Sequence, residues 1–356
     1  MEKDLSEDFV QLSSLSITGL LQCIESSGVK EKFVEDIGPD NYNKIVQEIR
    51  SQSTIIGMRD FHNWIKLVFI SNTVKLLNGG LVSLLDIAVG RGGDLAKWNK
   101  SGIKYVFGFD KNQRSISGDD PEDPGAIARL ENFKGAKFRD IEFTVGNAIK
   151  PSKELLSSID AFISKNKLRL FNIVSCQFAL HYFFKTEIDL KISLTLVSKY
   201  LSKGGIFIGT TLNGDAIREL FRDTREKVYS TDLFRVQRNF PKQLKTPYGN
   251  EYTFTIFDTQ DRANYFNTIG LSTEYLVNFK VLEEVASTVG LVPLRLNLFE
   301  EYALTSKKKG FVEIRTNTIS FNDILQLGKW QPKQKDLSEL EKELNGLYTT
   351  FAFIKI

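Results

Sequence analysis

Residues Leu84–Asp110 have the sequence LLDIAVGRGGDLAKWNKSGIKYVFGFD, and this stretch predicts the fold. The apolar run Leu84–Val89 suits a strand, three glycines within the next four residues suit a tight turn, and a helix can begin at Asp94. A second apolar run ends at Asp110. A strand, turn, helix and strand in this order bind adenosine-containing cofactors, and a carboxylate that closes the second strand suits a ribose diol. The stretch therefore predicts a cofactor-using α/β enzyme.

Asp94 indicates which cofactor suits the turn. A dinucleotide places its pyrophosphate at the N-terminus of the helix, where the carboxylate of Asp94 would repel it. S-adenosylmethionine carries a sulfonium and an ammonium group and no phosphate, so the acidic turn favours it over NAD. The alternative interpretation is a structural turn in which Asp94 only caps the helix.

The composition is that of a soluble globular chain, because 42% of the 356 residues are hydrophobic and 26% are charged. Two widely spaced cysteines predict no disulfide framework, which suits a reducing compartment. The sequence contains no apolar run of about 18 residues, so we expect no membrane span. The N-terminus also lacks the pattern of a secretory signal.

Charge is unevenly distributed along the chain. Residues 1–50 carry 5 Lys/Arg against 10 Asp/Glu, and we predict that they form an acidic extension or linker. The other residues carry 42 basic and 34 acidic side chains, a net charge of +8. A modestly basic body suits a phosphate-bearing partner, although an ordinary mixed surface explains it equally well.

Strands and helices alternate in the first part of residues 51–356, which we interpret as one domain. After the opening unit, the sequence predicts strands at Glu142–Val145, Leu170–Cys176 and Ile206–Thr211, and helices at Ala126–Asn132, Ser152–Ser164 and Glu187–Leu201, with Gly204 and Gly205 as the last helix cap. The alternation predicts an α/β fold with a doubly wound, Rossmann-like sheet and helices on both faces. Residues 229–300 break the alternation and predict an inserted lobe, and residues 348–356 predict a strand that pairs back into the sheet.

Two further segments carry candidate ligand-binding groups. In Phe171–Phe184, FNIVSCQFALHYFF, a strand runs into an aromatic cluster at the sheet edge where ligands of α/β proteins bind. There Phe178, His181 and Tyr182 can frame a flat base. The segment MRDFHNWIK predicts a short amphipathic helix, and its last residue, Lys66, can meet a ligand carboxylate. The plainer alternatives are core phenylalanines, a structural histidine and a surface lysine.

Taken together, six segments resemble one family. They are FHNWIK (Phe61–Lys66), DIAVGRGGDL (Asp86–Leu95), CQFALHY (Cys176–Tyr182), GGIFIGTTLN (Gly204–Asn213), TEYLV (Thr273–Val277) and YTTFAF (Tyr348–Phe353). They resemble motifs of the eukaryotic and viral mRNA cap guanine-N7 methyltransferases, over about residues 58–356. The resemblance implies a class I methyltransferase sheet. It also implies transfer of a methyl group from S-adenosyl-L-methionine to guanine N7 of the 5′ GpppN cap.

The resemblance also implies a role for each matching residue. It places Lys66, Asp86, Gly90, Asp94, Asp110, Asn147 and Gln177 around the cofactor. It places Asn63, Phe178, His181, Tyr182, Phe254, Glu274 and Tyr348 around the cap. His181, Tyr182 and Glu274 would orient the reactants, with Glu274 facing the guanine N1 and N2 donors. Because guanine N7 already has a free lone pair, no general base is expected, and no metal is implied.

Six positions depart from the family pattern: His62, Ala88, Val89, Arg91, Asn147 and Thr273. Ala88 and Val89 stand where the family has Gly-Cys, and Asn147 stands where it has an acidic residue. We expect these changes to weaken cofactor binding.

Capped RNA is the implied partner, with no membrane association. The 27 phenylalanines and 8 prolines resemble the composition of a large DNA virus capping enzyme. The acidic start would then join upstream triphosphatase and guanylyltransferase domains in the same polypeptide. A viral enzyme would be cytoplasmic, in a viral factory or the virion, and a cellular one nuclear. Two other functions stay open here: another RNA or small-molecule methyltransferase, and a non-catalytic, methyltransferase-like stimulatory subunit.

Overall fold

The computed structural model describes residues 53–77, 80–118, 124–257, 272–303, 309–333 and 335–356. The predicted acidic extension, residues 1–50, lies outside the described residues. The described strands are β1 (Ser83–Ile87), β2 (Tyr105–Asp110), β3 (Asp140–Val145), β4 (Phe171–Gln177), β5 (Leu201–Leu212), β6 (Val228–Ser230), β7 (Phe234–Arg238), β8 (Glu251–Ile256), β9 (Ser272–Tyr275), β10 (Leu291–Pro293), β11 (Leu296–Ala303), β12 (Lys309–Glu313), β13 (Thr318–Ser320) and β14 (Tyr348–Lys355). The described helices are α1 (Ile56–Leu76), α2 (Leu95–Lys100), α3 (Gln113–Ser117), α4 (Ala126–Glu131), α5 (Lys153–Lys165), α6 (Glu187–Tyr200), α7 (Gly214–Glu219), α8 (Phe279–Thr288), α9 (Phe321–Gln326) and α10 (Glu339–Asn345), with a 3₁₀ helix at Leu180–Lys185.

Strands β1 to β5 form a parallel sheet in the order β3-β2-β1-β4-β5. β1 is buried along its whole length, as a parallel strand covered on both faces must be. The chain runs outward from β1 to β3 and then crosses back to place β4 on the other side of β1. Ligands of such sheets bind outside the carboxyl ends of the strands at this reversal. The predicted doubly wound α/β sheet is therefore confirmed.

The strand β14 extends the sheet with the opposite polarity. It pairs antiparallel with β5 from Tyr348, opposite Leu212, to Ile354, opposite Ile206. Both β10 and β13 in turn pair with β14. The prediction that residues 348–356 return to the sheet is confirmed. As a result, the start of β14 lies beside the carboxyl end of β5, where the reversal places ligands.

Helices cover both faces of the sheet. Successive residues of β1 point into different cores: Leu84 packs in the core that includes Phe61 of α1, and Leu85 in the core that includes Phe162 of α5. This alternation is the period of two expected of a strand. Among the residues that the structure describes, no helix combines the length and apolar character that a transmembrane span needs.

The first helix, α1, is longer than the short helix predicted from MRDFHNWIK, and it spans 21 residues. Phe61, Ile65 and Phe69 recur every four residues and form its buried face. Its N-terminus is bound from far along the chain, because Glu341 Oε1 accepts the backbone N–H of Met58 at 2.8 Å across 283 residues. The same carboxylate also completes the capping box of α10. α1 is thus held at a fixed position against the sheet.

A separate four-stranded antiparallel sheet, in the order β6-β7-β8-β9, forms a lobe beside the central sheet. In its register, Arg238 of β7 lies opposite Tyr252 of β8, and Tyr252 lies opposite Glu274 of β9. These strands belong to the region 229–300 that broke the alternation. Later residues of that region return to the main body, because β10 joins the central sheet.

The predicted role of Gly204 and Gly205 as a helix cap is wrong. α6 ends at Tyr200, and β5 begins at once with Leu201. Gly204 instead lies within β5 with a φ of 75°, close to a register shift in the ladder between β4 and β5. The left-handed backbone at this strand irregularity is one that glycine adopts without strain.

A substitution at Gly209 tests how tightly β5 packs between its two neighbouring strands. A Cβ at this position would stand 2.1 Å from the carbonyl oxygen of Cys176 and 2.3 Å from Cζ of Phe351, which belong to the two flanking strands. We expect Gly209→Ala to lower the free energy of unfolding by roughly 3 kcal/mol, measured by urea denaturation. Gly93→Ala is the control, because a Cβ there meets nothing within 4 Å. Equal losses in the two variants would contradict this packing.

Candidate active site

The turn after β1 has a left-handed backbone at three positions. Ala88, Gly90 and Gly92 have φ values of 59°, 54° and 69°. The turn brings the backbone N–H of Gly90 to Asp110 Oδ2 at 2.9 Å, and Asn112 donates its N–H to Oδ1 at 2.8 Å. Two backbone donors therefore fix the Asp110 carboxylate at the end of β2. Each of its oxygens keeps a second lone pair with which to accept a hydroxyl group.

One carboxylate joins α1 to this turn. Asp94 Oδ1 lies 2.7 Å from Lys66 Nζ of α1 and 2.8 Å from Lys97 Nζ of α2. The Lys97 ammonium also donates to the carbonyl of Gly93 at 3.0 Å. Asp94 is the N-cap residue of α2 but makes no side-chain cap hydrogen bond. The alternative in which Asp94 only caps the helix is therefore wrong, because the two lysines hold its carboxylate.

The two aspartates of this region have opposite pKa shifts. Burial alone would raise the pKa of Asp94, but the charges of Lys66 and Lys97 outweigh it and lower the pKa to about 2. For Asp86 on β1, burial and the neighbouring negative charge of Asp94 raise the pKa well above its ordinary value. Asp86 Oδ1 has no hydrogen-bond partner among the described residues. The site therefore combines an ionised carboxylate with a carboxyl group that favours its neutral form.

Asn147 and Gln177 lie at the carboxyl edge of the sheet, just after β3 and at the end of β4. Asn147 Oδ1 accepts the backbone N–H of Ile149 at 3.1 Å. Gln177 Nε2 donates to Ser175 Oγ at 3.2 Å, and its Oε1 accepts from Thr210 Oγ1 at 3.0 Å. These local bonds fix the orientation of both side chains.

An aromatic wall adjoins the lysines. The ring of Phe178 stacks on His62 at 5.4 Å and meets Tyr348 edge-on at 5.5 Å. Tyr348 in turn lies 6.3 Å from Phe254 of the lobe. Lys66 Nζ lies 5.6 Å from the centre of the Phe178 ring. This contact joins the aromatic wall to the ion pair of Asp94.

Glu274 is a buried carboxylate with 6% of its surface exposed. Tyr252, its neighbour across the lobe sheet, donates its hydroxyl to Glu274 Oε2 at 3.0 Å. His181 Nε2 lies 3.7 Å from Glu274 Oε1, which is beyond hydrogen-bond distance. Among the described residues, neither ring nitrogen of His181 has a hydrogen-bond partner. A buried carboxylate and a buried imidazole thus lie side by side, and both nitrogens of the imidazole can form further hydrogen bonds.

His181 is uncharged at neutral pH. Burial and, to a smaller degree, the positive charge of Lys111 lower its pKa to about 3. Its ring lies 4.2 Å from the ring of Tyr182, and Lys111 Nζ lies 5.0 Å from the centre of the Tyr182 ring. A neutral imidazole carries one donor and one acceptor nitrogen, so His181 is suited to orient a ligand.

The structure brings the predicted residues together in three groups. The groups are Lys66, Asp86 and Asp94 with Gly90 and Asp110; Phe178, Tyr348 and Phe254; and His181, Tyr182 and Glu274. Asn63 differs from all of these, because its side chain is exposed on α1. Its place beside the cap stays a prediction.

Four contacts of the site were not predicted from the sequence. His62 and Lys111 contact the aromatic residues, Tyr252 binds Glu274, and Lys97 binds Asp94. For Lys97 a signal was present, because a lysine three residues after an aspartate lies beside it on a helix. Tyr252 had no such signal, because only the strand register places it opposite Glu274.

Comparisons with known proteins identify the family of this chain. The profile described as "mRNA (guanine-N(7))-methyltransferase domain" matches residues 27–356. The chain belongs to the mRNA cap guanine-N7 methyltransferase family. The mRNA cap guanine-N(7) methyltransferase of Schizosaccharomyces pombe is 27% identical over 330 residues, which cover 90% of this chain and 82% of that protein. That of Arabidopsis thaliana is 28% identical over 319 residues, covering 88% and 78%.

Among solved structures, an S-adenosylmethionine-dependent methyltransferase from Clostridium acetobutylicum ATCC 824 aligns over 88% of this chain and 98% of its own. Its sequence identity is 15% and its TM-score is 0.47. The resemblance inferred from the six motifs is confirmed by the profile match. The predicted domain boundary at residue 51 stays a prediction.

Ala88 occupies a left-handed position of the turn after β1. A left-handed backbone costs a residue with a Cβ about 1–2 kcal/mol, and the greater freedom of unfolded glycine offsets part of this. We therefore expect Ala88→Gly to raise the free energy of unfolding by up to about 1 kcal/mol, measured as a higher urea midpoint at an unchanged m-value. Ala148→Gly is the control and is expected to lower it. A loss in both variants would contradict strain at Ala88.

The buried, neutral His62 makes the free energy of unfolding depend on pH. Burial lowers the pKa of His62 to about 3, even though the ring donates to Asn345 Oδ1 at 2.6 Å. Below about pH 6.5 the unfolded chain binds a proton that the folded chain excludes, so the free energy of unfolding falls by about 1.4 kcal/mol per pH unit for each such histidine.

The test is urea unfolding of the His62→Gln variant between pH 6.5 and 5. The amide retains a donor for Asn345, and we expect a pH slope shallower than that of the unmodified chain by about 1.4 kcal/mol per unit. An unchanged slope would show that His62 is protonated in the folded state.

Proposed function

We propose that this chain transfers a methyl group from S-adenosyl-L-methionine to guanine N7 of the 5′ GpppN cap of mRNA. Membership of the cap methyltransferase family supports both the reaction and the methyl donor. The observation that carries the proposal is the pair formed by Glu274 and His181. Both side chains are buried, and Glu274 is fixed by Tyr252.

This pair suits guanine better than adenine. Guanine presents two adjacent donors, N1–H and the N2 amino group, and a carboxylate can accept both. Adenine has no donor at N1, so it would bring fewer donors to the buried Glu274 carboxylate than guanine does, which is costly. Phe178 and Tyr348 supply aromatic rings that meet edge-on at 5.5 Å. They would stack on a flat base.

The residues around the turn suit S-adenosylmethionine. Its methionine end carries a carboxylate and an ammonium group, and Lys66 and Asp94 offer the opposite charge to each. Asp110 retains lone pairs for the ribose hydroxyls. The orphaned Oδ1 of Asp86 adds a buried polar atom in the same region. This donor set therefore fits the methyl donor.

When bound, S-adenosylmethionine supplies an electrophilic methyl group whose bond to sulfur breaks as the N7 lone pair attacks in line. N7 carries no proton, so the chain has no proton to remove. Its residues hold the reactants in register, and such orientation contributes roughly 7–11 kcal/mol in favourable cases. His181 and Tyr182 orient the guanine, the ionised Asp94 provides a fixed charge, and Glu274 accepts the guanine donors. A neutral His181 suits this role because it adds no positive charge beside the base.

The direct test of the reaction is incubation of GpppN-capped RNA with radiolabelled S-adenosylmethionine, followed by mapping of the methyl group. We expect the label on guanine N7. A label on another atom would support a different RNA methyltransferase. Absence of S-adenosylmethionine binding in calorimetry would support a non-catalytic subunit.

Variants of Glu274 and Asp110 test the guanine side and the cofactor side of the proposed site separately. We expect Glu274→Gln to lower kcat/KM for GpppG about 100-fold, the effect of about 3 kcal/mol, because a charge-assisted contact is lost. The Kd for S-adenosylmethionine, measured by calorimetry, should stay within a few fold. Asp110→Asn should raise that Kd while leaving the KM for GpppG unchanged.

Glu251→Gln is the matched control, because it removes a carboxylate from the same lobe sheet outside the proposed site. It should leave both constants unchanged. If Glu274→Gln weakened S-adenosylmethionine binding and left GpppG kinetics intact, the assignment of Glu274 to guanine would be wrong.

We further propose that the chain acts beside triphosphatase and guanylyltransferase activities, which produce the GpppN end that it methylates. Their presence in the same polypeptide stays a prediction. So does the location: a viral factory or virion for a viral enzyme, or the nucleus for a cellular one.

A further inference from the structure

One pocket is lined by none of the residues of the proposed active site. It has a volume of about 400 Å³ and lies between α7, the segment that follows it, and β7 of the lobe. Its lining consists of four cationic, two acidic and two aromatic side chains: Arg218, Arg222, Arg238, Lys242, Asp215, Glu219, Phe221 and Phe240. None of them belongs to the motifs that identify the family.

The floor of this pocket is rigid. Arg238 is 8% exposed, and its guanidinium donates to the carbonyls of Glu226 at 3.0 Å and Arg225 at 3.2 Å. It lies 5.6 Å from the centre of the Phe221 ring, which meets Phe240 edge-on at 6.2 Å. An arginine fixed in this way presents its charge without losing further conformational entropy on binding.

The rim is cationic and accessible. Arg218 and Arg222 are 46% and 67% exposed, and their carboxylate partners, Asp215 and Glu219, lie three residues before them. Exposed ion pairs of this kind contribute little, so a phosphate group can displace them. Lys242 completes the rim.

The surrounding sequence strengthens this charge. Residues 218–245 carry eight Lys/Arg against four Asp/Glu, a net charge of +4, whereas the whole chain has a net charge of +3. A concentration of positive charge on one segment attracts polyanions and favours contacts with phosphate groups.

The lobe register connects this pocket to the proposed guanine site. Arg238, Tyr252 and Glu274 lie opposite one another on three adjacent strands. Strands are separated by about 4.8 Å, so the backbone of Arg238 lies about 10 Å from that of Glu274. About three nucleotides of a stacked strand, at 3.4 Å each, span this distance.

We propose that this pocket, with Arg218, Arg222 and Lys242 on its rim, binds phosphates of the RNA chain that follows the cap. The proposal rests on the proposed function, because it takes Glu274 as the guanine-binding residue. The contacts are to phosphates, so they fix the position of the RNA without reading its sequence. The enzyme would accordingly bind capped RNA more tightly than the cap dinucleotide alone.

The test compares the unmodified chain with the triple variant Arg218→Ala, Arg222→Ala and Lys242→Ala. Arg238 is left unchanged because its side chain is buried in the lobe. We expect KM for capped RNA oligonucleotides to rise about tenfold, and kcat and KM for GpppG to stay within twofold. The dependence of log KM on log salt should become shallower by about 2, because each contact to single-stranded phosphate contributes about 0.7.

A matched control removes the same charge elsewhere. Lys134, Lys137 and Lys191 are exposed and line no part of this pocket. Their triple alanine variant should leave KM for capped RNA within twofold. Equal effects of the two triple variants would overturn the proposal, because they would indicate general electrostatic attraction.

Two further outcomes separate the possible failures. If the unmodified chain methylates GpppG and capped RNA with the same KM, the pocket proposal is wrong and the proposed function stands. If it methylates neither, the proposed function fails.

A free nucleotide is the other source of phosphate. If ATP raised the KM for GpppG in the unmodified chain but not in the pocket variant, the site would be a nucleotide site and the RNA proposal would be overturned.

Discussion

The buried carboxylate of Asp94 is the interaction on which the candidate site depends. It binds Lys66 of the first helix and Lys97 of the second, and so joins both helices to the glycine turn. A buried charge without a partner is strongly destabilising, so each of the three charges needs the others in place. The proposed ligand carries a carboxylate and an ammonium group, and it would form with Lys66 and Asp94 the contacts that they form with each other. Lys97 would hold Asp94 in position during this exchange.

Backbone strain is also concentrated at the candidate site. Among the described residues, three that are not glycine have a left-handed φ: Ala88, Phe178 and Lys167. Ala88 lies in the turn beside the proposed cofactor, and Phe178 directly follows the strand whose end borders the proposed guanine site. Such strain persists where the surrounding structure requires it and is frequent at functional sites. The hydrogen bond from Phe178 N–H to the carbonyl of Thr210, at 2.8 Å, helps to hold that backbone.

The central sheet could be predicted because its signals are local. Buried parallel strands are short apolar runs, and the glycines and Asp110 mark where the first two of them meet the turn. Gly204 was misinterpreted because a glycine pair after a helix also suits a bulge in the strand that follows. The partners within the site were harder to predict. Tyr252 meets Glu274 through strand register, and His62 meets Asn345 across 283 residues, which no sequence spacing records.

The hydrogen bond between Glu341 and Met58 has a consequence for how the molecule folds. It holds the start of the helix that carries Lys66, and it closes a loop of 283 residues. The entropy of closing so long a loop must be lost before the contact returns any stabilisation, and folding slows as contacts become more distant in sequence. We therefore expect the lysine side of the site to be among the last parts to reach its native arrangement.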